Sequence, residues 1–445
     1  MRLLLALWAF ASCAGAWQDS AQEDAAKLLL DVRKKVVQTV IRLPKYLCTE
    51  TVDRSTFQPE VEILSRSCDD LAGRRKEPGW RIHKDTSDRL RLDVAVSADS
   101  EMFSWASENH FQNGSLADLV RSGATSTGTF GSFLSSIFGT NTATFTYNGD
   151  VDAVGRALAE FGFRVPLEKS NYHIGNKLSH SIVGYDGTFL VDPKTYDLVR
   201  LTIHAAHLPA ALNACESSTT LDYGSIRLNN SEFLIPTNVH WRVVNLDGSE
   251  FDNRTVFSAC HEFLGESTLR FDVLSESPQI AAHETTRKGL RLPPELPFSL
   301  ALTSPIDTAT AAAGDLFKAR LTSAIKEKHN GVLVPKGATV TGRIIHIERF
   351  YGPASQSLML AVRLETVEAN GIEQPFDARL QSVVKRRKKS SGALVQRQNL
   401  GSFDRMSGPE DPAVGLLGFE KVTADYVIDR GFEIEARTAT AETKP

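Results

Sequence analysis

The residues able to do chemistry in this chain are a few cysteines, some histidines and one dense run of cations, and their spacing limits what each can do. Cys48, Cys68, Cys215 and Cys260 include no close pair of the kind that zinc sites use. No G-x-S-x-G elbow offers a serine nucleophile. His204 and His207 stand at the end of an expected strand and His261-Glu262 follows Cys260, but neither group forms H-E-x-x-H or adjoins further ligands at metal spacing. The stretch Gly331 to Gly337 lacks the order of a phosphate-cradling loop, because Lys336 precedes its glycine. No G-x-G-x-x-G follows a strand. The spacing points to no catalytic residue, no metal and no cofactor, and the chain reads as a non-enzyme that acts by binding.

Lys385, Arg386, Arg387, Lys388 and Lys389 form the densest charge cluster. Such a run is either a solvated loop or a contact for anionic headgroups, acidic envelope polymers or nucleic acid. No aromatic residue interleaves it, so base stacking has no platform and a nucleic-acid partner is not expected. The balance of the 445-residue chain agrees: 42% hydrophobic residues, 23% charged and a formal net charge of -4 suit a folded, mildly acidic protein.

The N-terminus indicates where the protein works. Met1-Arg2 precedes an apolar run from Leu3 to Ala11 and small residues ending in Ala14-Gly15-Ala16, the layout of a signal peptide over 1-16. The run is too short to span a bilayer. Cys13 offers a second reading, since Phe10-Ala11-Ser12-Cys13 approaches a lipoprotein signal; cleavage after Ala16 is preferred because Phe10 replaces the usual leucine. Export to the periplasm or the outer membrane follows. Removing the leader leaves Cys48, Cys68, Cys215 and Cys260, an even set that reads as disulfides in an oxidising compartment. Local closure favours Cys48 with Cys68 and Cys215 with Cys260.

The elements expected to position these groups are mainly β. A helix from about Asp19 to Leu43 carries Leu29, Val32, Val36, Val40 and Leu43 at helical spacing, with Ser20 and Glu23 as a capping box and Pro44 as its stop. Period-two alternation then takes over, as in Leu90, Leu92, Val94 and Val96 and again in Val199, Leu201 and Ile203. Asp186-Gly187 and Asp247-Gly248 are expected hairpin turns. Within Arg121 to Thr144, rich in Gly, Ser and Thr, Phe130, Phe133, Leu134, Ile137 and Phe138 form either a lid over an apolar cavity or a short helix packed on the sheet, with the latter preferred. A proline-rich linker is expected over 276-296, dividing a unit at 17-275 from one at 297-445. The second unit should hold strands at Leu316 to Leu321, Val332 to Ile347, Leu358 to Val367, Phe376 to Leu380 and Ala424 to Glu435. An insertion rich in basic residues, Gly, Ser and Pro follows at 385-412.

On this order of helix and strands, and on Gly184-Tyr185-Asp186-Gly187-Thr188-Phe189-Leu190-Val191-Asp192-Pro193, the region Asp19 to Val273 resembles the LolA-type lipoprotein carriers. The resemblance implies a curved antiparallel half-barrel with an N-terminal helix, an apolar cavity and a lipid or lipoprotein acyl ligand. The paired cysteines and the Tyr223 to Phe271 extension depart from that pattern. The region Leu296 to Leu380, through Val334-Pro335-Lys336-Gly337-Ala338-Thr339, resembles TrbI-like conjugal transfer proteins of type IV secretion channels. That implies a second small β-barrel that docks on an envelope partner or a further copy; the charged insertion argues against a pore. The expectation is a mainly β (α+β), non-catalytic cell-envelope protein that binds an apolar ligand, the alternative being a structural scaffold of an envelope or secretion complex.

Overall fold

The computed structural model describes residues 9–262, 292–383, 393–394 and 414–439, apart from 63–64, 98–99, 109–110, 112–115, 121, 129, 140, 154, 176–179, 207, 229–230, 328–330 and 370; for 9–22, 382–383 and 393–394 it gives the backbone only. His207, most of the expected linker and the cluster Lys385 to Lys389 lie outside the described residues, as does the insertion apart from its residues 393–394.

The chain opens with helix α1, Ala9–Arg42. Val32 and Val36 are buried, and Leu29, Val40 and Leu43 pack against the same core, as the spacing predicts. The helix runs through Ser20, so Ser20 and Glu23 do not cap it; the alanine-rich stretch ahead of them is itself a good helix former. It ends two residues before Pro44, which has no N–H to donate. Lys35 ties it to the sheet by an ion pair with Asp197 at 2.8 Å.

Strand β1 (Tyr46–Pro59), helix α2 (Cys68–Arg74), β2 (Ile82–Ser97), β3 (Ser100–Trp105), and the short helices α3 (Leu116–Leu119) and α4 (Ser132–Phe138) follow. Next come β4 (Thr144–Ala153), β5 (Arg156–Val165), β6 (His173–Gly175), β7 (His180–Ile182), β8 (Tyr185–Val191) and β9 (Leu198–Ala206). Three long strands finish this part: β10 (Ala214–Leu228), β11 (Ser231–Asn245) and β12 (Glu250–Glu262). They pair antiparallel in the order β4-β5-β8-β9-β10-β11-β12-β1-β2-β3. Leu90, Leu92, Val94 and Val96 of β2 all point into one core, which is why alternation was visible in sequence.

The two Asp-Gly pairs part ways. Asp247-Gly248 makes the β11–β12 hairpin, with Gly248 donating to the Asn245 carbonyl at 3.0 Å. Asp186-Gly187 lies inside β8 instead and turns nothing. Gly187 is required there for closeness: a Cβ would fall 1.9 Å from the Thr202 carbonyl oxygen.

The disulfides join Cys48 to Cys260 and Cys68 to Cys215, not the local pairs expected from sequence. The reason is register. Strand β1 pairs with β12 through Leu47↔His261 and Thr49↔Ser258, which brings Cys48 beside Cys260 although 212 residues separate them. Cys68, at the start of α2, meets Cys215 at the start of β10, in a small cluster with Leu71 and Val244.

The second unit comprises β13 (Pro297–Leu302), β14 (Ile306–Asp307), β15 (Leu316–Leu321), β16 (Ile325–Glu327), β17 (Gly331–Val334), β18 (Thr339–Tyr351) and β19 (Gln356–Ala369). It continues with β20 (Ile372–Pro375), β21 (Ala378–Val383), β22 (Ala393–Leu394), β23 (Val414–Val422), β24 (Val427–Ile428) and β25 (Glu433–Thr438). The expected strand Val332 to Ile347 is split by the turn at Pro335-Lys336-Gly337, and Ala424 to Glu435 is split before Glu433. The main ladder runs β21-β25-β13-β15-β18-β19-β23 around its own buried core. The end strands β21 and β23 pack together, with Leu380 against Gly415, but among the described residues no hydrogen-bonded ladder joins them, so the expected barrel is not closed by hydrogen bonds there; an irregularity at Leu380/Ser382 interrupts β21.

The two sheets are joined. Strand β18 pairs with β2 through Glu348↔Asp88, Arg349↔Ser87 and Phe350↔Thr86. Beside this ladder Arg91 N–H donates to the Ala313 carbonyl at 2.7 Å, and Arg343, paired with Glu365 at 2.8 Å, donates to the Ala106 carbonyl at 2.6 Å. Gly314 is needed here, at φ +105°, because a Cβ would lie 2.1 Å from the Arg91 carbonyl oxygen.

Non-reducing peptide mapping is expected to recover Cys48 linked to Cys260 and Cys68 linked to Cys215. Replacing Cys48 and Cys260 together by serine should lower the unfolding free energy by about 3–5 kcal/mol in denaturant titrations, since the bridge closes a long loop.

Candidate functional site

The interior of the first sheet is where the structure gathers unusual groups. Alternation along β1 sends Tyr46, Cys48, Glu50 and Val52 to one face, and all four are buried. Helices α1 and α4 cover that side of the sheet and contact each other.

Segment 130–138 supplies much of the filling. Phe130, Phe133, Leu134, Ile137 and Phe138 are each at most 8% exposed. Phe130 lies 4.5 Å from Phe257 and 5.7 Å from Tyr46 between ring centroids, Phe133 packs on Tyr172 and Tyr185, and Phe138 packs on Phe189. The short packed helix preferred from sequence is what the fold contains. On its flank the Glu101 carboxylate accepts from Gly128 N–H at 2.7 Å and Phe130 N–H at 3.1 Å. Arg54, in an ion pair with Asp88, donates to the Ser122 carbonyl at 2.7 Å, and Asn253 donates to that of Ala124 at 2.9 Å.

Three polar side chains sit in this apolar interior at a cost. The hydroxyls of Tyr46 and Tyr223 are buried and have no hydrogen-bond partner among the described residues, an arrangement that costs roughly 1–3 kcal/mol for each group. Burial pushes both phenols well above their usual range. Glu50 is 6% exposed, and burial, with the Glu101 carboxylate adding to it, pushes its carboxyl up to about 8. At neutral pH Glu50 is therefore largely protonated, a donor inside an oily core. Tyr46 senses Glu101 and Tyr223, so these groups form one neighbourhood.

Glu50 was legible in principle: it occupies an inward position of the alternating run Tyr46-Leu47-Cys48-Thr49-Glu50-Thr51-Val52, where an apolar residue is the norm. The histidines gather no site. His204 lies 3.7 Å from Asp186 and 3.5 Å from Glu216 on an exposed strand face, and His261 is exposed within β12, its Nδ1 2.9 Å from the Ala259 carbonyl oxygen. Among the described residues no three His, Cys, Asp or Glu side chains converge as a metal site, and no helix is long and apolar enough to cross a membrane.

No protein-family model matches the chain, and no curated protein matches it. Two solved structures match part of the chain. A DUF1329 family protein from Desulfovibrio piger is 11% identical, covering 54% of this chain and 94% of its own, with a TM-score of 0.24. A domain described as an outer membrane lipoprotein-sorting protein, from Vibrio parahaemolyticus, is 10% identical, covering 52% of this chain and 90% of its own, with a TM-score of 0.25. Likenesses this remote assign neither a family nor an activity.

The raised Glu50 carboxyl has a consequence for stability. Its folded value of about 8 lies above the ordinary 4.5, so between those values the folded state holds a proton that the unfolded chain has released. Its contribution is complete below pH 4.5 and is lost as pH rises to about 8, by at most roughly 5 kcal/mol. Chemical denaturation across that window should show stability falling with pH, and Glu50→Gln should flatten the slope whatever it does to the absolute value.

Proposed function

We propose that this is an exported, non-catalytic protein of a bacterial cell envelope whose first unit takes an apolar ligand with a polar end, such as a lipid or a lipoprotein acyl chain, into the interior beneath α4. The observation that carries the reading is a pair of buried hydroxyls, Tyr46 Oη and Tyr223 Oη, without a hydrogen-bond partner among the described residues, together with the buried Glu50 carboxyl, in a largely apolar core. Polar groups left unpaired in a core are costly, and a ligand's polar end would pair them. The cover is suited to displacement. Segment 130–138 enters the interior mainly through rings, and a ligand's hydrocarbon can keep the inner face of the sheet covered when those rings move aside.

The signal-like N-terminus and the two disulfides support a periplasmic or outer-membrane location, because disulfides persist in oxidising compartments. Docking on an envelope partner falls to the second unit in this proposal, with Lys385, Arg386, Arg387, Lys388 and Lys389 as contacts for an anionic partner surface. A scaffold role is the second reading. It is favoured by the ladder between β2 and β18 and by exposed apolar side chains on the second unit, Leu316, Val332 and Ile372.

Native mass spectrometry of detergent-free protein should show a co-purifying acyl lipid on the monomer. The delipidated protein should then take up a fluorescent long-chain fatty acid, and Glu101→Gln, by loosening the bonds to Gly128 and Phe130, should speed uptake several-fold. Absence of lipid and of uptake, together with concentration-dependent self-association in light scattering, would leave the scaffold reading standing.

A further inference from the structure

The junction between the two sheets holds a cleft of about 360 Å³, distant in kind from the apolar interior because its walls carry charge. Four cations line it, Arg54, Lys84, Arg89 and Arg349, against two carboxylates, Asp53 and Asp88. Both carboxylates are taken. Asp88 pairs with Arg54, and Asp53 pairs with Arg89 at 2.6 Å. Lys84 and Arg349 remain as two positive charges without a counter-ion among the described residues.

The surroundings of Arg349 are those of a fixed charge. It is 8% exposed, and every partner is neutral: Nη1 donates to the Thr423 carbonyl at 2.7 Å and the Gln356 side-chain oxygen at 3.2 Å, while Nη2 donates to Thr308 Oγ1 at 3.0 Å and the Ala424 carbonyl at 3.3 Å. A guanidinium does not lose its proton, so its charge is buried uncompensated. Lys84 Nζ lies over the rings of Phe57 and Tyr351, 5.8 and 5.5 Å from their centroids, and those rings supply no full negative charge. Asp85, its neighbour in sequence, does not line the cleft. Ser87 and Tyr351, whose hydroxyls are 2.9 Å apart, also line the cleft, as do Ile347 and Leu358 at the edge of the second unit's core.

We infer that this cleft binds the oxyanion head, phosphate or carboxylate, of a small ligand, with Lys84 as the mobile donor and Arg349 as the preset field. An anion placed in the cleft gives both cations a counter-charge and gains charge-assisted hydrogen bonds from Lys84 and from whichever of the Ser87 and Tyr351 hydroxyls does not donate to the other. Ile347 and Leu358 would cover the first carbons of any attached chain. Lys84 and Ser87 come from β2 and Arg349 and Tyr351 from β18, so the site exists only where the β2–β18 ladder brings the two units together.

The test is calorimetric titration of the full chain, at constant ionic strength, with inorganic phosphate and with hexyl phosphate. Saturable binding of either supports the site; equal affinities identify a free oxyanion as the ligand class, and tighter hexyl phosphate identifies one with a short apolar tail. Lys84→Met, at a half-buried position that leaves the Arg349 bonds intact, should weaken binding at least ten-fold with an unchanged melting temperature in ligand-free buffer. Hexyl phosphate held in the apolar interior of the first unit would be indifferent to that substitution. No saturable binding of either probe, or binding that Lys84→Met leaves unchanged, overturns the inference.

Discussion

The pairing of β1 with β12 is the constraint on which the first unit depends. It joins strands that open and close a stretch of more than two hundred residues, and it makes β1 an inner strand, hydrogen-bonded to β2 on one edge and β12 on the other. Closing so long a loop is entropically unfavourable, and the reward comes only when both ladders form. The Cys48–Cys260 bridge sits at that pairing and removes much of the closure cost from the unfolded state. Tyr46, Glu50 and Arg54 all ride on this strand, so two of the three interior polar groups and one lining residue of the junction cleft are placed by one ladder, while Tyr223 comes from β10.

Tension between packing and polarity runs through the same unit. The interior is filled by rings from segment 130–138, helix α1 and the strands, which favours a closed state. Within that filling, Glu50 and two tyrosine hydroxyls oppose full burial. A protein selected only for stability would place apolar side chains at these positions, because an apolar group of similar volume carries no desolvation penalty. Their presence is the reason for reading the interior as a site rather than as core alone.

Charge follows a different logic at the junction. Arg343 and Arg91, which hold the units together, each have an acidic partner, Glu365 and Asp315. Arg349, buried a few residues along the same strand β18, has only neutral ones. Two cations that bind the junction are neutralised from within the chain, whereas Arg349 and Lys84 in the cleft beside it have no acidic partner among the described residues.

Local pattern determined much of this from sequence alone: the helix stripe of Val32 and Val36, the alternation of Leu90 to Val96, the Asp247-Gly248 hairpin and the burial of Phe130 to Phe138. These depend on neighbours a few residues away, which the amino-acid order states directly. Tertiary structure alone decided which cysteines meet, that Asp186-Gly187 is strand and not turn, that no ladder among the described residues closes the second sheet, and that Lys84 and Arg349 share a cleft. Each of these rests on register between strands far apart in the chain. Register is chosen by the sum of all side chains buried along a ladder, a quantity that no single stretch of sequence contains.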